Sequence, residues 1–244
     1  MNLAKLSVIV PAFNEEKLIG RCLESIQMSL SASAREGLDT ELIVVDNNST
    51  DRTAEIARAA GARVVFEPVN QISRARNAGG NAASGDWLLF VDADSFPDAP
   101  LMREIIGVLS DEGVVGCGSK VRMAPLPFWG RLLLETWHAI SVTCKWAAGS
   151  LVLCRAEAFG EIGGFSEKLY ATEEIDFSIR LKRWGRKRGQ KLKILRDNPL
   201  ETSPRKMEMY SAFDVLKLFF KSILHPRATF QNRDDLDLWY DGKR

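Results

Sequence analysis

The segment Trp87-Leu88-Leu89-Phe90-Val91-Asp92-Ala93-Asp94-Ser95 decides how this chain is read. Five apolar residues in a row, bounded by polar ones, read as a short strand buried on both faces. Such strands belong to parallel sheets covered by helices, where ligands gather beyond the carboxyl ends of the strands. Asp92 and Asp94 follow the strand at once. Two carboxylates delivered to that edge repel each other unless a cation neutralises them. Hard oxygen donors at this spacing suit Mg²⁺ or Mn²⁺ shared with the phosphates of a substrate. Taken alone, the pair also fits a solvated acidic turn.

Working outward, the same arrangement recurs upstream. Ser7-Val8-Ile9-Val10 reads as a first strand and Glu15 to Leu30 as a helix, with Leu18, Ile19, Cys22, Leu23 and Ile26 on one face. Glu41 to Val45 is a second strand. Thr50 or Asp51 caps a helix over Ala54 to Ala60, and Arg63 to Phe66 is a third strand after Gly61. Ile72 to Ala83 is helical, weakened by Gly79 and Gly80. This alternation predicts an α/β fold, a mostly parallel sheet flanked by helices with right-handed crossovers. Downstream, Asp98-Ala99-Pro100 opens a helix to about Leu109. Val114 to Met123 reads as extended, and Ser150 to Cys154 as a buried strand. The apolar, Trp-rich stretch from Leu126 to Val142 is a helix or a long loop. Thr172 to Arg186 and Phe213 to Leu224 read as helices, the last one amphipathic. Its apolar face packs on the core or lies at a membrane surface.

Composition removes other classes. Among 244 residues, 33 are Lys or Arg and 32 Asp or Glu, so a net charge of +1 gives no pull toward nucleic acid. With 45% hydrophobic residues the chain is neither disordered nor fibrous. Cys22, Cys117, Cys144 and Cys154 form no CxxC pair, which signals neither a zinc cluster nor a disulfide framework. The first residues lack the features of a signal peptide, and no apolar run is long enough to span a bilayer. The expectation is a soluble, reduced, cytoplasmic protein. No GxSxG elbow is present, and Gly79-Gly80 with Gly85 misses the GxGxxG spacing.

The ends of strands one, two and four bring polar residues to one edge. Pro11, Asn14 and Glu15 end the first, Asp46 the second, and Asp92 and Asp94 the fourth. Together they describe a nucleotide crevice in which Asp46 accepts from a base N–H and a metal on Asp94 holds a pyrophosphate. Ser49, Thr50 and Asp51 are read as ordinary turn and cap residues. Glu173 and Glu174 open a helix, where the dipole favours the ionised form, although acids are favoured in any first turn.

Four motifs in order carry a resemblance: Val8–Glu15, Val45–Asp51, Arg76-Asn77-Ala78-Gly79 and Asp92–Asp94. They resemble the V-x-V-P-x-x-N-E, V-D-x-x-S-x-D, R-N-x-G and D-x-D pattern of family 2 glycosyltransferases of the GT-A fold. Gly163-Gly164-Phe165 and Thr172-Glu173-Glu174-Ile175-Asp176 resemble that family's acceptor-side motifs. The resemblance implies one GT-A domain over residues 1–244, with a nucleotide-binding half at 1–95, an acceptor half at 96–200 and a C-terminal extension at 201–244. It also implies roles. Pro11, Phe13 and Glu15 line base and ribose, Asp46 meets the base, and Arg76 the base or phosphate side. Asp92 approaches the ribose and the metal shell, Asp94 ligates Mn²⁺ or Mg²⁺, and Asn77 and Gly79 shape their helix. Glu174 stands where the family usually carries Asp and is the implied general base, with Glu173 and Asp176 beside it. Asp176 sits four residues before Arg180, placed for a helix-surface ion pair.

The implied reaction moves a sugar from a nucleotide donor, a UDP-sugar, to an acceptor hydroxyl with inversion. The acceptor stays open between a glycan, a lipid-linked molecule and a small molecule. Two alternatives share these residues: a sugar-phosphate nucleotidyltransferase and a catalytically idle nucleotide-binding scaffold. Arg180 to Trp184 matches the (Q/R)xxRW pattern of processive synthases but continues the acidic helix, which marks coincidence. The run Arg180 to Lys193 holds eight basic residues and no acid, a solvated helix face or a contact with the inner face of a membrane. His225 would be an extra metal ligand or a structural histidine. Trp137 and Trp146 stack on a sugar or pack in the core.

Overall fold

The computed structural model describes residues 5–34, 38–147 and 149–205. The helix expected over Phe213 to Leu224, and His225, lie outside them. Within them, β1 (Leu6–Ala12), α1 (Ile19–Ala32), β2 (Thr40–Asp46), α2 (Thr53–Ala59), β3 (Arg63–Phe66), α3 (Ile72–Ala82) and β4 (Trp87–Val91) realise the expected alternation. β5 (Ser95–Phe96), α4 (Ala99–Leu109), β6 (Val114–Arg122), α5 (Phe128–Cys144), β7 (Leu151–Arg155), α6 (Ala156–Ile162), α7 (Glu173–Arg186) and β8 (Lys191–Thr202) follow. The apolar, Trp-rich stretch is thus a helix. Asp98 caps α4, its Oδ1 accepting from Leu101 N at 2.9 Å.

One eight-stranded sheet runs in the order β3-β2-β1-β4-β7-β6-β8-β5. Strands β3, β2, β1 and β4 are parallel, and β6 pairs with β8 in parallel. β7 is antiparallel to both β4 and β6, and the short β5 antiparallel to β8. The sheet is therefore mostly parallel, interrupted by the reversed strand β7 at its middle and by the short reversed β5 at its edge. Both faces are covered. Val8 and Val10 of β1 face a core built with Ile19, Leu23, Ile26, Leu101 and Ile105. Their neighbour Ile9 faces a second core containing Val45, Phe90, Phe159, Phe165 and Phe177. Alternation along a strand buried on both sides produces this division.

Three departures from the sequence reading have physical causes. α1 starts at Ile19 rather than Glu15 because the Glu15 carbonyl accepts from Leu18 N and Ile19 N in a turn. α6 and β8 were not anticipated. β8 is charged and contains Pro199, and its register against β6 jumps from Ser119–Leu195 to Val121–Leu200. The bulged residues take Pro199 out of the regular ladder. The basic run is consequently not one helix face: α7 ends at Arg186, and Lys191 and Lys193 belong to β8.

α3 packs closely on the sheet because Gly79 has no side chain. A Cβ there would fall on Ile9 Cγ2 and lie 2.9 Å from Val45 Cγ2. Overpacking of this kind costs about 1–3 kcal/mol. Gly79→Ala is expected to lower unfolding free energy by that amount in urea titration, whereas Gly160→Ala, with open space around it, should cost less.

Candidate functional site

The loop after β1 is zipped to the loop after β2. Asn14 adopts φ of 52°, a left-handed conformation that Asn tolerates better than most residues. Its N–H donates to Ser49 Oγ at 3.1 Å, and its side-chain Oδ1 accepts from Thr50 N at 2.8 Å. Glu15 N donates to Thr53 Oγ1 at 2.7 Å and Glu16 N to Asp51 Oδ2 at 3.1 Å. Residues read as plain turn and cap formers thus hold Glu15 in place across two loops.

A cleft opens at the carboxyl ends of β1, β2 and β4. Pro11, Phe13, Glu15, Asn47, Arg76, Asp92, Asp94, Glu173 and Glu174 line it. Arg76, on α3, is its buried centre. Its Nη2 donates to Asp92 Oδ1 at 2.9 Å and its Nη1 to Glu173 Oε1 at 2.6 Å. Glu174 Oε1 stands 3.0 Å from the same Nη1. One guanidinium therefore joins the carboxylate after β4 to both acids at the start of α7. Burial opposes the charged guanidinium, but Glu174, Asp92 and Glu173 together outweigh it and hold Arg76 above its ordinary value.

Three carboxylates against one guanidinium leave an excess of negative charge. Burial pushes Glu173 up to about 8, with repulsion from Glu174 adding and Arg76 opposing. The expectation that the helix dipole keeps Glu173 ionised is thereby corrected, because burial outweighs the dipole. Glu174 is more open, with side-chain exposure of 17% against 3% for Glu173.

The remaining expected residues separate. Asp46 ends β2, but its Oδ1 accepts from Ser49 N at 2.9 Å, and it is its neighbour Asn47 that lines the cleft. Asn47 is itself fixed, donating to the carbonyls of Glu67 and Val69 and accepting from Gln71 N. Asp176 is outside the cleft lining and pairs with Arg180 at 2.7 Å, the ion pair its spacing suggested. Asn77 reaches across to the loop after α6, donating to Phe165 O at 2.9 Å and accepting from Phe165 N at 2.8 Å. Phe165 in turn stacks on Phe177 of α7 with centroids 4.2 Å apart. Trp137 and Trp146 lie against each other at 6.5 Å, away from the cleft lining.

Arg205 carried no signal in the sequence. Its Nη2 reaches both oxygens of Glu15 at 2.8 and 2.9 Å. Two residues earlier, Ser203 N donates to the Asp94 carbonyl at 2.9 Å, so the segment after β8 is fastened beside the cleft. Among the described residues no group of three or more His, Cys, Asp or Glu could hold a metal. Asp94 and the second oxygen of Asp92 nevertheless fit a divalent cation of the Mg²⁺ type, which takes one or two carboxylates and completes its shell with phosphates and water.

Glu173 makes stability pH-dependent. Its carboxyl is raised from 4.5 to about 8, so the folded chain keeps a proton that the unfolded chain releases. That contribution is complete below the unfolded value and disappears as pH rises through the folded one. In metal-free buffer, urea midpoints of the wild type should fall from pH 5 toward pH 8.5, and Glu173→Gln should flatten this slope.

Residues 7–161 match the family profile described as Glycosyl transferase family 2. The probable glycosyltransferase YdaM of Bacillus subtilis is 28% identical over 201 residues, covering 73% of this chain and 47% of that protein. Glucosyl-3-phosphoglycerate synthase of Mycolicibacterium smegmatis is 36% identical over 119 residues, 45% of this chain and 38% of that protein. The chain thus spans less than half the length of either relative. Among solved structures, the mannosyltransferase PcManGT from Pyrobaculum calidifontis, in complex with GDP-Man and Mn²⁺, superposes with a TM-score of 0.67 at 19% identity. That match covers 91% of this chain and 62% of the other. Glucosyl-3-phosphoglycerate synthase from Mycobacterium tuberculosis, with Mn²⁺, UDP and glucosyl-3-phosphoglycerate, gives 0.61 at 22% identity, covering 94% and 82%. At these identities the likeness is one of fold.

Proposed function

The chain belongs to glycosyl transferase family 2, and on that premise we propose that it moves a sugar from a nucleotide-sugar donor to an acceptor hydroxyl with inversion. The observation that carries this reading is Arg76, which gathers Asp92 on the donor side and Glu173 and Glu174 on the acceptor side into one cleft. A nucleotide-binding edge and a pair of acids in one cleft suit a reaction in which a phosphate leaving group and an attacking hydroxyl meet.

In this proposal the donor is a UDP-sugar. Pro11, Phe13 and Glu15 line base and ribose, and Asp46 meets the base through the oxygen not given to Ser49. Asp94, with Asp92, would hold Mn²⁺ or Mg²⁺, which when bound neutralises charge on the departing diphosphate. Arg76 is committed to three carboxylates and acts by orienting them. Glu174 takes the proton of the acceptor hydroxyl as its oxygen bonds to the anomeric carbon and the bond to the diphosphate breaks. Glu173, holding a proton of its own through much of the neutral range, is a poor base and serves as a donor or positioning group. With one base and no second carboxylate acting as nucleophile, displacement is direct and configuration inverts.

The test is turnover on a panel of sugar nucleotides with Mn²⁺ or Mg²⁺. Asp94→Asn should abolish it with little change in thermal stability. Glu174→Gln keeps size and removes basicity, so turnover should fall on the order of 10²–10⁴-fold while donor affinity holds. Full activity in excess chelator would overturn the metal assignment. A dead Asp176→Asn beside an active Glu174→Gln would move the base elsewhere.

A further inference from the structure

α5 is built inside out. The residues it buries are Gly130, His138 and Ser141, while Phe128, Leu132, Leu133 and Ile140 are exposed, Phe128 by 83% and Leu132 by 62%. It is firmly attached nonetheless. His138 Nε2 accepts from Val121 N at 3.3 Å, Ser141 Oγ donates to Trp146 O at 2.7 Å, and Leu134 packs against the main core. At about 100° per residue, the four exposed apolar side chains, with Thr136 and Ala139 between them, form a band roughly 140° wide. No charged residue falls within it. Arg131 and Glu135 stand along one edge. Contiguous apolar surface of this kind on a soluble face marks an interaction site.

A second feature lies at the carboxyl end of the same helix. Lys145 caps it, and Lys182 Nζ donates to the Cys144 carbonyl at 2.6 Å, with Arg186 one turn along α7. Among the described residues none of these three cations forms an ion pair with a carboxylate. Capping the helix accounts for one positive charge, not for three. Burial, then repulsion from Arg186 and Lys145, lowers the Lys182 ammonium from its ordinary value.

We propose that α5 is a peripheral membrane-docking surface, its uncharged band entering the interface of an anionic bilayer and Lys145, Lys182 and Arg186 meeting the lipid phosphates. The two features are complementary in the way such surfaces require: apolar area supplies burial, and unneutralised cations supply attraction to anionic headgroups. A second copy of the chain matches the cations less well, since a net charge of +1 offers no excess of acid. The proposal is independent of sugar transfer, because binding is read without any donor.

The full chain is sedimented with vesicles of phosphatidylcholine, with and without phosphatidylglycerol, at low and high salt. The wild type should partition onto the anionic vesicles at low salt and leave them at high salt. Leu132→Glu with Ile140→Glu alters exposed positions, so melting temperature should hold while partitioning falls tenfold or more. Lys145→Glu with Arg186→Glu should fall by about fivefold or more per charge removed. Absence of wild-type binding to anionic vesicles, or equal binding by the variants, overturns the proposal. A wild-type dimer in light scattering that Leu132→Glu dissolves assigns the face to a second copy and overturns it as well.

Discussion

A single buried guanidinium organises the functional half of this molecule. Arg76 is 2% exposed and holds Asp92, Glu173 and Glu174 within hydrogen-bond or ion-pair distance. Buried charge is tolerated only when paired, and here the pairing is the means by which distant parts of the chain are brought to one place. Everything that supports Arg76 also supports the cleft. Gly79 lets α3 lie close on the sheet, Asn77 ties the same helix to the loop at Phe165, and Phe165 stacks on the helix that carries the two glutamates. Packing and electrostatics thus fix the same geometry.

The charge imbalance at this centre separates two adjacent glutamates that look equivalent along the chain. Glu173 is almost sealed off and is raised to about 8, whereas Glu174 opens toward the cleft. Sharing one cation among three acids makes a proton on the most buried acid the least costly arrangement. In the proposed reaction it is the more open neighbour, Glu174, that exchanges a proton with the incoming hydroxyl. Division of labour between the two follows from burial rather than from residue type.

Much of the amino-terminal half was legible because its signals are local. Val64–Phe66 and Trp87–Val91 are uninterrupted apolar runs near turn formers, and strands form there over Arg63–Phe66 and Trp87–Val91. The positions at the strand ends follow from the fold, so Pro11, Glu15, Asp92 and Asp94 could be assigned to one edge from the sequence, whereas Phe13 was implied only by the family resemblance. What escaped was non-local. Arg76 and Glu173 are 97 residues apart, and Arg205 and Glu15 are 190 apart. No periodicity announces such pairs. β8 escaped because it is charged and bulged at Pro199, and its burial comes from partners on β6 rather than from its own composition. Asp46 was legible as a strand end, yet a turn bond to Ser49 took one of its oxygens, a competition that only backbone geometry decides.

The wiring of the sheet carries a consequence for biosynthesis. Strands β1 to β4 are contiguous in the chain and lie side by side, so their contacts can form early on the ribosome. Arg76 is made with them, but the glutamates that pair with it belong to α7 and emerge almost a hundred residues later. Until then the nascent half holds a cation at the base of its cleft with Asp92 as its one acidic partner, and burying it in that state is costly. The amino-terminal layer can therefore assemble early only as a loosely closed intermediate. Its final consolidation waits for the segment that brings Glu173 and Glu174, so a product truncated before α7 lacks the contacts that close its cleft.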